Sequence, residues 1–182
     1  MNCTRIAHKE NGDALFFIAN GPSPTTAAQA PVTTGTAIKT LLQVKSSATA
    51  PFRVVEWGIS FDGSAAATPI RCELLETGTV AATVTAHVAA GIVDVDADAL
   101  TAGDPTTNLF PVGTTSTGYT ASAEGTITAT RVFDVQFVAP TNQYVKQFPL
   151  GREPHINLSS FLRIRVTAAA AVNAYCYVVV DV

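Results

Sequence analysis

The chain has 182 residues, 47% of them hydrophobic and only 14% charged, with eleven basic against fourteen acidic side chains and a formal net charge of −3. Charged residues make up about a quarter of an ordinary globular protein, so Thr, Ser, Ala and Gly must cover much of this surface. The basic residues are scattered and form no stripe that could neutralise phosphates, which argues against nucleic acid as a partner.

At about 100 to 200 residues per domain, the length fits one domain and leaves no room for two independent cores. The longest wholly apolar runs, such as residues 175–180, fall far short of the roughly 18 residues a spanning helix needs, so no membrane segment is expected. Residues 1–13 lack the apolar stretch of a signal peptide, and a cytosol-like site of synthesis follows as the expectation. Cys3, Cys72 and Cys176 are odd in number and widely spaced, and Cys72 and Cys176 sit in strand-like runs as small apolar residues.

In chain order the apolar periodicity is two, which predicts an all-β protein. Residues 14–19 form a first short strand closed by Asn20-Gly21-Pro22, and a Pro, Thr and Ala tract over 23–35 reads as an extended arm. Residues 36–44 place Ile38, Leu42 and Val44 on one side, with Lys39 and Gln43 on the other. Residues 52–61 predict a central core strand with Val55, Trp57, Ile59 and Phe61 inward and Trp57 largely buried; Arg53 breaks the pattern near its start. Asp62-Gly63-Ser64 supplies a turn, Ile70, Cys72 and Leu74 form the next inward set against Arg71 and Glu73, and residues 79–87 make another β-branched run.

Residues 89–125 change to Ala, Thr, Gly and Asp and predict a long excursion, irregular except for a helical turn near 96–102. Strands return over 126–138 (Phe133, Val135 and Phe137 inward, Asp134 and Gln136 outward), 144–148, 161–167 and 173–181. In the 161–167 run Leu162, Ile164 and Val166 face in, while Arg163 and Arg165 form the wet face. The last run is apolar on both parities, the mark of a strand covered on both sides. About eight strands with one excursion predict an antiparallel β-sandwich, most simply a jelly roll, comprising residues 36–182 after an N-terminal strand and arm over 1–35. An immunoglobulin-like sandwich is the alternative, weakened by the missing Cys, Trp, Cys spacing.

Catalytic signatures are absent: there is no GxSxG elbow, phosphate-cradling GxxxxGK, HExxH or GxGxxG opening a helix. His8, His87 and His155 are far apart and lack the paired spacing of a zinc site. Asp94, Asp96 and Asp98 imitate the start of a calcium loop, but Ala99 stands where the sharp turn needs Gly and Pro105 where a bidentate Glu belongs. The expectation is no enzyme, no metal and no cofactor. The Asn-x-Ser/Thr triplets at Asn2 and Asn157 carry no meaning without a secretion signal, and residues 168–171 are too few to nucleate a helix.

The segments Trp57-Gly58-Ile59-Ser60-Phe61-Asp62-Gly63, Gly103-Asp104-Pro105-Thr106-Thr107, Ala139-Pro140-Thr141-Asn142-Gln143, Gln147-Phe148-Pro149-Leu150-Gly151 and Arg163-Ile164-Arg165-Val166 resemble the small jelly-roll decoration, or minor head, proteins of tailed bacteriophages, over most of the chain from about Thr36 onward. The resemblance implies an auxiliary virion protein, made in the host cytoplasm, that binds the outside of an assembled head beside the major capsid protein, often as a homotrimer. It carries no catalytic or binding residues by motif. On this reading the C-terminal strand makes the subunit contact, through Tyr175, Tyr177 and Val179, and residues 1–35 or the 89–125 excursion touch the shell. The rival class is a tail-associated or host-surface carbohydrate-binding β-sandwich, which calls for an exposed aromatic platform. A major shell protein is disfavoured by the length and the lack of helical segments.

Overall fold

The computed structural model describes residues 14–21, 28–63, 68–95 and 109–182. Period-two runs rich in Val, Ile, Phe and Thr become strands: β1 (Leu15–Ala19), β2 (Val32–Thr33), β3 (Lys39–Lys45), β4 (Phe52–Phe61), β5 (Ile70–Glu76), β6 (Thr83–Ala86) and β7 (Ile92–Asp94). After the 96–108 stretch come β8 (Gly118–Ala123), β9 (Arg131–Val138), β10 (Gln143–Gln147), β11 (His155–Ile156), β12 (Phe161–Thr167) and β13 (Asn173–Asp181). Among the described residues there is no α-helix, only a short 3-10 turn at Ala89–Gly91.

The strands form two antiparallel sheets packed as a sandwich. Sheet A runs β10-β4-β13-β1-β7, with β11 beside β4 and β2 beside β13; sheet B runs β6-β8-β3-β12-β5-β9. Thirteen described strands exceed the count of about eight expected from turn signals, because short pieces such as β2, β7 and β11 are invisible to a periodicity argument. The 89–125 stretch is likewise not irregular throughout: β7 extends sheet A and β8 belongs to sheet B. The expected helical turn near 96–102 lies outside the described residues.

The core fills the space between the inward rows. Phe52, Val54, Trp57, Ile59, Ala174, Cys176, Val178 and Val180 of sheet A meet Leu42, Val44, Ile70, Cys72, Leu74, Leu162, Ile164 and Val166 of sheet B. Every one of these is buried, which identifies hydrophobic burial as the main force closing the sandwich. Asn20 extends the edge of β1 in side-chain form. Its amide donates to Ala174 O at 3.1 Å and accepts from Cys176 N at 2.9 Å.

Three irregular registers explain where simple alternation misplaces side chains. Val179 pairs with Glu56 but Val180 pairs with Val54, so Val55 is an extra residue in β4. Its insertion moves the inward set from Phe52 and Val54 to Trp57, Ile59 and Phe61, and leaves Val55 half-buried instead of inward. In β3 the extra residue is Leu41, and Ile38, expected inward, lies before the strand and is 49% exposed.

In β9 Leu74 faces Asp134 and Leu75 faces Val132, so Phe133 bulges. Of the expected inward set only Phe133 packs, partly buried, against the core; Val135 is half-buried and Phe137 is 70% exposed, while Asp134 and Val138, on the opposite parity to the expectation, are buried. Asp134 turns in because Trp57 and Tyr144 both present donors there, and a buried donor without an acceptor costs about 1–3 kcal/mol.

Arg163 is the largest departure, since it is fully buried rather than on a wet face. The residues flanking β6 and β8 lie across the outward side of β3 and β12. Arg163 donates to Glu124 O at 3.0 Å, to the Glu124 carboxylate at 3.4 Å and to Val80 O. Gln43 on the same side is also buried, donating to Ser116 O at 2.7 Å while its side-chain oxygen accepts from Ala82 N at 2.8 Å. Burial pulls the Arg163 guanidinium down to about 10, with Glu124 opposing and Arg165 adding to the shift, so it stays charged at neutral pH. Glu73 is buried on this side too, paired with Arg71 at 2.6 Å and Arg165 at 2.7 Å.

Candidate functional site

β13 lies at the centre of sheet A, between β4 and β1, and alternation splits its apolar residues between two faces. Ala174, Cys176, Val178 and Val180 enter the core; Tyr175, Tyr177 and Val179 stay half-buried on the outer side. The register places their neighbours. Val93, Phe17, Val179, Glu56 and Gln147 form one row across the five strands. Tyr177, Gly58 and Val145 stand in the next, and Tyr175, Ser60 and Gln143 in a third.

Glu56 is the one charged side chain in these rows, and Val145 is 51% exposed. At about 4.8 Å between strands and roughly 7 Å between same-face rows, the surface measures roughly 20 Å by 14 Å.

Tyr177 organises this face. Its ring covers the backbone of Gly58, where an added Cβ would stand 2.4 Å from the ring. Phe17 stacks on the ring at 5.2 Å and 26°, and the hydroxyl donates to Glu56 Oε1 at 2.6 Å. Glycine at position 58 is thus the condition for laying an aromatic ring flat on the sheet. Burial, with the Glu56 hydrogen bond and charge next, pushes the Tyr177 phenol well above its ordinary value; burial also raises Tyr175. Both remain neutral donors.

A second site, which no sequence motif announces, opens where β5 and β9 end. A cavity of about 430 Å³ is lined by Glu76 at the end of β5, Arg131 at the start of β9, Asn157, and the hydroxyl-bearing Thr79, Thr128 and Thr130. Three separate segments, 76–80, 128–131 and 157–160, build it, so only long-range folding brings its groups together.

The other groups singled out in the sequence do not assemble. His87 is buried against Tyr119 and Ala19, His155 is exposed on β11, and His8 lies outside the described residues. Asp94 is on β7, while Asp96 and Asp98 are outside the described set. Cys72 and Cys176 are buried free thiols. Burial, with the neighbouring Glu73 charge, pushes Cys72 up to about 12 and burial raises Cys176 well above the ordinary thiol value, so both behave as apolar side chains. Among the described residues no group of three or more His, Cys, Asp or Glu is placed to hold a metal, and no helix is long and apolar enough to cross a membrane.

Fold and surface together define a two-sheet antiparallel β-sandwich with an aromatic and aliphatic patch on the outer face of sheet A, bordered on the same face by a polar row of Asp181, Arg53 and His155. Compared with known proteins, the chain matches no family model, no curated protein and no solved structure.

Proposed function

We propose that this chain is a structural virion protein: a jelly-roll capsid decoration protein that binds the outside of an assembled tailed-phage head as a homotrimer and stabilises it without catalysing a reaction. The observation that carries the reading is the outer face of sheet A, where Tyr175, Tyr177 and Val179 stand with Phe17, Val93 and Val145 around a single carboxylate. A sheet surface with so large a share of apolar side chains favours a protein partner over water.

Its size supports a lattice. A stable pairwise interface buries about 800 Å² on each partner, well beyond a patch of roughly 20 Å by 14 Å. The face is then one contact among several within the trimer, and the trimer's contacts with the shell, weak singly, add through effective concentration. A subunit that binds only the assembled head stabilises it by mass action. In this scheme residues 1–35 or the 89–125 segment, apart from their sheet strands β1, β2, β7 and β8, supply the contact with the major capsid protein.

Light scattering on the purified full chain tests the oligomer. A mass of three 18.9 kDa subunits is the expected result, and a strict monomer at high concentration removes the subunit contact. Co-sedimentation with purified phage heads tests the partner, since a decoration protein pellets with intact heads and not with disassembled capsid protein.

A further inference from the structure

We propose that the cavity at the ends of β5 and β9 binds a neutral polyhydroxylated ligand, a single sugar residue, with Glu76, Asn157 and Arg131 as the groups that recognise it. The inference is independent of the capsid reading, because a decoration subunit and a free module could each carry such a site.

Glu76 is the anchor. It is 4% exposed, and its position opposite Leu162 turns its carboxylate toward the sandwich end instead of the outer face. Oε1 accepts from both the backbone N and the side-chain amide of Asn157, each at 3.2 Å, and Oε2 pairs with Arg131. An ionised carboxylate offers about four acceptor positions, so one remains for a ligand hydroxyl.

Arg131 is held on three sides, by Glu76, by His155 O and by the Phe133 ring 5.1 Å beneath it, yet its side chain is 49% exposed. A guanidinium carries five N–H donors, more than these partners use, and Arg131 lines the cavity.

The charge balance selects the ligand class. Glu76 repels an anion and Arg131 repels a cation, while together they present an acceptor and donors side by side, the complement of vicinal hydroxyls. Thr79, Thr128 and Thr130 add hydroxyls that both donate and accept, each with a methyl group to pack against a sugar C–H face. A volume of about 430 Å³ falls within the roughly 300–1,000 Å³ usual for small-ligand sites. Because internal partners already fix Glu76, Asn157 and Arg131, binding orders few additional side chains.

Nitrogen-15 amide shifts of the full chain, titrated with methyl glucoside, methyl galactoside and methyl mannoside and, separately, with glucuronate, test the assignment. The expected result is that at least one neutral glycoside shifts the amides of Glu76, Thr79, Arg131 and Asn157, that glucuronate binds at least tenfold more weakly, and that Asn157→Ala or Thr130→Val weakens the neutral glycoside about tenfold, the loss of one to two hydrogen bonds. Thr130 is exposed, so Thr130→Val keeps the test valid should Asn157→Ala unfold. The proposal is overturned if no neutral glycoside moves these amides at about 20 mM, a concentration that saturates a millimolar site. Glucuronate binding equally well, or shifts that Thr130→Val leaves unchanged, would overturn it too.

Discussion

The indole N–H of Trp57 on β4 donates to Oδ2 of Asp134 on β9 at 3.1 Å, a bond between the two sheets at the side of the sandwich where β10 and β9 are the terminal strands. The same carboxylate accepts from Tyr144 at 2.9 Å and Gln136 at 2.9 Å, and Lys146 lies 3.2 Å away. Burial alone would raise Asp134, but the hydrogen bonds from Gln136, Tyr144 and Lys146 outweigh it and hold the carboxyl below its ordinary value. The Tyr144 phenol moves the other way, up to about 12, through burial and its bond to Asp134.

Asp134→Ala strands the Trp57 and Tyr144 donors and leaves Lys146 without its partner, and roughly 2–4 kcal/mol of stability should be lost. Urea unfolding followed by the fluorescence of Trp57, the single tryptophan, measures it directly. A loss under about 0.5 kcal/mol, the range of ordinary surface substitutions, would show that the network does not close the sandwich. With the folded pKa depressed, this stabilisation is complete above the unfolded carboxylate value near 4 and disappears as pH falls through the folded value.

His87 provides a second, higher pH window. Its Nε2 sits 2.8 Å from Ala19 O and donates to it, while Nδ1 is buried without a partner. Burial, only partly opposed by the Ala19 bond, lowers the imidazole below its ordinary value, so the fold keeps it neutral. The unfolded chain takes up a proton below about pH 6.5, and stability should therefore decline as pH drops from there toward the folded value. Proton-monitored NMR of the ring should give a midpoint under 6.5, and a midpoint at or above it contradicts the assignment. His87→Gln should flatten the decline.

Gly58→Ala forces a methyl group into the Tyr177 ring, whose Cε1 stands 2.4 Å from the added carbon. Displacing the ring sacrifices the Phe17 stack and the bond to Glu56, at a cost of about 1–3 kcal/mol. Adding Tyr177→Ala removes the clash, so the double variant should be more stable than the sum of the single losses allows. Simple additivity in thermal unfolding would mean that the ring and the glycine are uncoupled.

The outer face of sheet A can be tested without disturbing the core. Val145→Lys puts a charge among the apolar rows at a position already exposed, with an expected stability change within about 0.5 kcal/mol. Light scattering should nevertheless show its mass shifted toward the monomer. An assembly identical to that of the unsubstituted chain would remove this face from the subunit contact.

What could be read in advance depended on whether neighbours in sequence decide a side chain's surroundings. The inward residues of β5, β12 and β13 follow the alternation: Ile70, Cys72 and Leu74, or Leu162, Ile164 and Val166, enter the core as the pattern requires, although only β13 alternates in burial along its whole length. Trp57 is buried as expected for the same reason. Asp134 and Arg163 escaped because each answers to groups far along the chain, Trp57 in one case and Val80 with Glu124 in the other. A bulge such as that at Val55 reverses parity within a strand and leaves no mark in composition. Tyr175, Tyr177 and Val179 stood out because apolar residues filled both parities of β13, whereas the Glu76 cavity joins three segments far apart in the chain, 76–80, 128–131 and 157–160.

The decisive measurement for the virion reading is a density map of the phage head particle carrying this chain. The expected map places the sandwich outside the shell as a trimer, with Tyr175, Tyr177 and Val179 against a neighbouring subunit. A particle lacking the chain, or one in which the outer face of sheet A meets only solvent, would contradict it.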